Sequence, residues 1–151
     1  MSETPNGQAL VCVDDRGSQQ EMVRMLEDLG YQVNLCTLAD KALEQIKGTP
    51  YRVIVLEDGF QGARLSESPV CRELAQMSMT LRRHTFVVLL GRGVKHLDPL
   101  EAFSLSANLL VDQGKIREDK GLGAVVQQEI SNYAKFYQVY SRAKEMISQG
   151  K

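Results

Sequence analysis

Four carboxylates in this sequence fall at two matching places. Asp14 and Asp15 end the apolar run Ala9-Leu10-Val11-Cys12-Val13, and Glu57 and Asp58 end a second run, Val53-Ile54-Val55-Leu56. If the runs are neighbouring parallel strands, up to four acids gather at one edge of a sheet. Such a cluster suits a hard divalent cation, which takes oxygen ligands. It either holds a cation or descends from a cluster that did. The last acid decides what chemistry is left.

The elements that must position these acids alternate between strand and helix. Ser18-Gln19-Gln20-Glu21 reads as a capping box, followed by Met22, Met25, Leu26 and Leu29 at helical spacing and a stop at Gly30. Tyr31-Gln32-Val33-Asn34-Leu35-Cys36 alternates apolar and polar, as an edge strand with one wet face does. Thr37 is placed to cap a helix with Ala39, Ala42, Leu43 and Ile46 inward, ending at Gly48. After the strand at 51–56, a loop from Asp58 to about Pro69 leads to one helical stripe of Val70, Leu74, Met77 and Leu81. Phe86-Val87-Val88-Leu89-Leu90 reads as a strand buried on both faces, and Gly91-Arg92-Gly93 as a turn. Asp98, Pro99 and Glu101 form an N-cap, N1 and N3 set. Leu109-Leu110-Val111 is a short fifth strand, and the rest from about Arg117 reads as helix.

Five βα units with unalternated apolar strands predict an α/β fold with a parallel sheet covered on both faces. An edge-like second strand predicts the doubly wound, flavodoxin-like order 2-1-3-4-5. In that order, functional groups collect at the carboxyl ends of strands one and three, where Asp14, Asp15 and Glu57 fall.

Composition narrows the function classes. With 151 residues, 43% of them apolar, the chain is expected to form one domain with a substantial core. A net charge of −1 gives no electrostatic case for nucleic acid or an anionic membrane. The polar stretch at 1–8 reads as a flexible N-terminus without a signal core, and no run approaches the roughly 20 apolar residues of a membrane span. Cys12, Cys36 and Cys71 form neither a disulfide framework nor a metal motif, which suggests a reducing, cytoplasmic setting. His84 and His96 have no partner acid at a telling spacing and read as surface residues.

Over residues 9–125 the chain resembles the receiver domain of bacterial two-component response regulators. Val13-Asp14-Asp15 is similar to the family's magnesium-binding acidic pair. Pro50 to Glu57 is similar to the segment that ends in the phospho-accepting aspartate, which places Glu57 at the acceptor position. Phe60-Gln61 stands where the family has Met-Pro, Gly91 at its Thr or Ser, Leu110 at its aromatic switch, and Gln113-Gly114 at its Lys-Pro. The resemblance implies a carboxylate that attacks phosphorus in line, with a cation and a lysine neutralising the oxygens. This chain keeps the metal pair and departs from the pattern at acceptor, lysine, hydroxyl and ring. It therefore reads as a degenerate receiver, or pseudo-receiver.

Asp14, Asp15 and Glu57 are then at most a weak Mg²⁺ site, with no cofactor required. Glu57 carries a methylene more than aspartate, which misplaces its oxygens by about 1.5 Å in a reaction that depends on positioning. It can instead imitate a permanent charge or serve as a polar strand end. Asp58 offers a true aspartate, but successive strand residues point to opposite faces, so it should face away from Glu57. Lys115 lies two residues beyond Gln113.

The last segment is the second signal. Residues 126–151 extend the final helix beyond the length the family needs. Val126, Ile130, Tyr133, Tyr137, Tyr140 and Ile147 fall close to heptad spacing, broken by Lys144. Leu122, Val125 and Phe136 add another stripe. Phe136, Tyr137 and Tyr140 exceed what one receiver can cover, and so point to a partner, first of all a second copy of the chain. The expected function is a non-enzymatic, phosphorylation-independent interaction module of a bacterial signalling or localisation system, working through Leu110 and the helix before it or through the terminal helix. The alternative is an atypical receiver phosphorylated on Asp58 or Glu57.

Overall fold

Five parallel strands lie in the order β2-β1-β3-β4-β5 in the computed structural model, which describes residues 7–115 and 121–149, less the side chains at 134, 136–141 and 148–149. The strands are β1 (Gln8–Cys12), β2 (Gln32–Leu35), β3 (Val53–Glu57), β4 (Phe86–Gly91) and β5 (Leu109–Asp112). The helices are α1 (Arg16–Asp28), α2 (Ala39–Gly48), α3 (Pro69–Gln76), α4 (Met79–Arg82), α5 (Pro99–Ser104) and α6 (Gly121–Gln149). The doubly wound α/β architecture expected from the apolar runs is the one observed.

Strand alternation divides the interior in two. Leu10, Cys12, Ile54, Leu56, Val87, Leu89 and Leu110 meet the residues of α2, α3 and α5 on one face. Ala9, Val11, Val13, Val53, Val55, Val88, Leu90 and Val111 meet α1 and α6 on the other. Both faces are covered, which is why the strands read as unbroken apolar runs. In register, Cys12 lies beside Leu56, Glu57 beside Leu90, and Gly91 beside Asp112. The carboxyl ends of β1, β3, β4 and β5 therefore share one edge.

Several local expectations are corrected. The cap of α1 is Asp15, which accepts the Ser18 N–H at 2.9 Å, so Ser18 and Glu21 do not form a capping box. Glu21 reaches across to α6, where its Oε2 accepts the Gly123 N–H at 2.6 Å. Thr37 does not cap α2, because Leu38 holds the cap position without a side-chain bond. Leu35 does not face the interior, being 48% exposed at the open edge of the sheet. The stripe of Val70, Leu74, Met77 and Leu81 is two helices. Met77 turns to extended backbone, and Ser78 caps a new start by accepting the Leu81 N–H. That break turns Leu81 to solvent. At Asp98 the expected cap is present: its Oδ1 accepts the N–H groups of Leu100 and Glu101.

The last helix has two parts. Leu122, Val126 and Ile130 are buried against α1 and the sheet. Tyr133 donates from its hydroxyl to the Arg83 carbonyl at 2.8 Å and sets its ring edge-on to Phe86, 4.9 Å between centroids. The packed body thus reaches Tyr133. Arg142 to Ile147 are all exposed, Met146 at 65% and Ile147 at 68%. The expected partner residues Phe136, Tyr137 and Tyr140 have side chains outside the described residues. No helix among the described residues is long and apolar enough to cross a membrane.

Candidate functional site

β1 ends as the chain turns into α1, so the N–H groups of Asp14 and Asp15 face the neighbouring end of β3. Glu57 fills that space. Its Oε1 accepts both N–H groups, from Asp14 at 2.9 Å and from Asp15 at 3.0 Å. Its Oε2 accepts from Gln113 Nε2 at 3.2 Å, and the same nitrogen donates to Ser18 Oγ at 2.9 Å. Glu57 is 9% exposed. The extra methylene is what lets a residue at the end of β3 reach the backbone of the β1–α1 turn. A carboxylate accepting this many bonds is well compensated for burial. Both of its oxygens are engaged, Oε1 by two N–H groups and Oε2 by one.

Each acid of the pair also holds a backbone N–H, with one of its oxygens. Asp14 Oδ2 accepts the Gln61 N–H at 2.9 Å, which holds Gln61 in the left-handed region at φ 55. Asp15 caps α1, and the bonds from the Ser18 backbone and hydroxyl hold its carboxyl below the usual carboxylate range. Among the described residues, no three Asp, Glu, His or Cys side chains are placed to hold a metal ion. As arranged, Asp14, Asp15 and Glu57 each accept backbone N–H groups.

Asp58 lies on the other side of the strand. Its Oδ1 accepts the Leu65 N–H at 2.9 Å, and its N–H donates to the Leu90 carbonyl at 2.7 Å. The carboxylate organises the β3–α3 loop and lies beside Gly91 rather than beside Glu57 and Gln113. Gly91 is buried at the end of β4, where a Cβ would lie 2.9 Å from Val94 Cγ1. Val94 therefore occupies the room a hydroxyl-bearing side chain would need. Gln113 stands just after β5 in a short 3-10 turn that ends at Lys115, and Lys115 is exposed. The thiols beneath the site are inert packing groups. Burial, with Cys36 and Asp14 nearby, pushes Cys12 up, and burial pushes Cys71 up to about 11.

Two expectations need correction here. Leu110 is 1% exposed and packs in the α2–α3–α5 face, so it cannot touch a partner. The residues that do present apolar surface nearby are Leu97, Leu100 and Phe103, at 45%, 79% and 80% exposure. His96 is not a bare surface residue: its Nδ1 accepts the Asp112 N–H at 2.9 Å. Asp112, only 4% exposed, accepts the N–H groups of Gly93 and Gly114. Sequence spacing gave no sign of this pair, because the partner of the imidazole is a backbone N–H on another strand.

No protein-family model matches the sequence. No curated protein matches it either. Solved structures do. The beryllofluoride-activated receiver domain of DrrB superposes with a TM-score of 0.60 at 18% identity, over 85% of this chain and 97% of that one. A response regulator from Hahella chejuensis gives 0.56 at 21% identity, over 89% and 92%. The receiver domain of a Pseudomonas aeruginosa sensor histidine kinase, with magnesium in its active-site cleft, gives 0.58 at 19% identity, over 84% and 97%. Identities this low speak to architecture alone. With the strand order and the acids at one sheet edge, they show that this chain has the receiver fold of response regulators.

Proposed function

We propose that the chain is a phosphorylation-independent interaction module of a two-component-type signalling system, a receiver fold in which the phosphotransfer site is closed from within. The observation that carries this reading is the Glu57 carboxylate, bonded to two backbone N–H groups and to Gln113. In-line attack on phosphorus needs an oxygen with an open approach and neutralised phosphoryl oxygens beside it. Here both oxygens of Glu57 are engaged, and Gln113 brings no positive charge. The same bonds tie β1, β3 and the turn after β5 into one conformation that needs neither phosphate nor cation. The module is not an enzyme in this reading and acts in the cytoplasm through a protein partner.

Beryllofluoride tests it, because it mimics a phosphoryl group only where a carboxylate and a cation can hold it. The expected outcome is no change in melting temperature when Mg²⁺ and beryllofluoride are added together. A rise abolished by Asp58→Asn or by Glu57→Gln would establish a working receiver and identify its acceptor. The extended α6 offers a surface for a second copy, since Met146 and Ile147 are exposed on a helix that continues past the body. Light scattering after size-exclusion chromatography is expected to give a dimer, and a monomer mass across concentrations would remove that part of the reading.

A further inference from the structure

The loop from β4 to α5 is fastened to β5 at three points, one of which depends on the charge of a histidine. The Gly93 N–H donates to Asp112 Oδ2 at 3.2 Å, the Leu97 N–H to the Leu110 carbonyl at 2.8 Å, and the Asp112 N–H to His96 Nδ1 at 2.9 Å. The third bond exists only while Nδ1 carries no proton. Imidazole is the side chain that ordinarily changes charge between pH 5 and 8. The segment also carries backbone strain. Leu97 has φ 59, a left-handed conformation that strains a side-chain-bearing residue, so it persists only while its fastenings hold.

Asp112 supplies the other half of the device. A protonated His96 loses its bond to the Asp112 N–H and is drawn to the buried carboxylate of the same residue. We infer that protonation of His96 exchanges the Asp112 N–H for the Asp112 carboxylate, displaces Gly93 from that carboxylate, and shifts the β4–α5 loop together with α5. The apolar surface made by Leu97 of the loop and by Leu100 and Phe103 of α5 is then presented in two pH-dependent positions. The loop itself carries Arg92 and Lys95. Asp98 and Glu101 open α5, Asp58 follows β3 beside Gly91, and Lys115 follows β5. Glu129 of α6 shares with Leu97 and Asp98 the wall of a cavity of about 250 Å³. Arg92 reaches toward Gly114.

The consequence for a partner rests on the reading of the chain as an interaction module, but the latch is tested without one. In ¹⁵N–¹H spectra of the full chain taken from pH 8 to pH 5, the amides of Gly93, Leu97 and Asp112 are expected to move with the midpoint of the His96 ring. The Asp112 amide moves upfield as its bond is lost, and the amides of Leu100 and Phe103 follow. In His96→Asn, an acceptor remains that cannot be protonated, and all these shifts are expected to vanish. In His84→Gln they are expected to persist. A His96 ring that titrates in the unaltered chain while Gly93 and Asp112 stay still overturns the proposal, as does a transition that survives His96→Asn. Neither result bears on whether beryllofluoride binds, so failure of the latch is distinct from failure of the functional reading.

Discussion

The carboxyl edge of the sheet is closed twice, by different means. Between β1 and β3 the closure is a carboxylate that reaches two backbone N–H groups from a neighbouring strand. Between β4 and β5 it is a pair of residues, His96 and Asp112, that pin a loop. In the first closure the acceptor bears the charge and the donors are fixed. In the second the acceptor is a neutral ring whose bond disappears on protonation. Under the proposed latch, one half of the edge is held by a charged acceptor and the other by a ring whose bond depends on its charge.

The strongest way to break this comparison is at Glu57. Glu57→Ala leaves the N–H groups of Asp14 and Asp15 without their acceptor and frees Gln113. Bonds to a charged group of this kind are worth about 1.5–3 kcal/mol, so a loss of about 3 kcal/mol is expected in chemical denaturation. A change below about 0.5 kcal/mol, the range of ordinary surface substitutions, would mean that Glu57 locks nothing. A smaller effect sharpens the other half. Gly91→Ser brings a Cβ to 2.9 Å from Val94 Cγ1 and is expected to cost about 1–2 kcal/mol by overpacking. Adding Val94→Ala should recover most of that loss in a double-mutant cycle. Additive losses would show that the two positions do not share the space.

How far the sequence reached can be judged residue by residue. The apolar runs and turn residues were enough for five strands, their order and the edge where the acids gather, because alternation and burial leave few arrangements for such a pattern. The capping box at Ser18 failed because Asp15 stood closer to the helix start and Glu21 had a better donor in Gly123, 102 residues away. The helix over Val70–Leu81 failed because periodicity does not register one extended residue, Met77, before a second cap. The position of Leu110 was legible, but its burial was not, since an apolar residue in a short strand reads the same whether it faces the core or a partner.

The sequence by itself determined the receiver-like architecture and, at Glu57, Gly91, Leu110 and Gln113, a departure from the groups that the resemblance implies. Both follow from local identity and period. Only the tertiary structure decided what replaced them. Glu57 turns to the β1–α1 turn because its length matches that gap, Val94 fills the space over Gly91, and His96 meets the backbone of β5. Each contact joins residues that are brought together by packing and whose donors or surfaces belong to the backbone or to apolar side chains. Sequence spacing carries no mark for such partners.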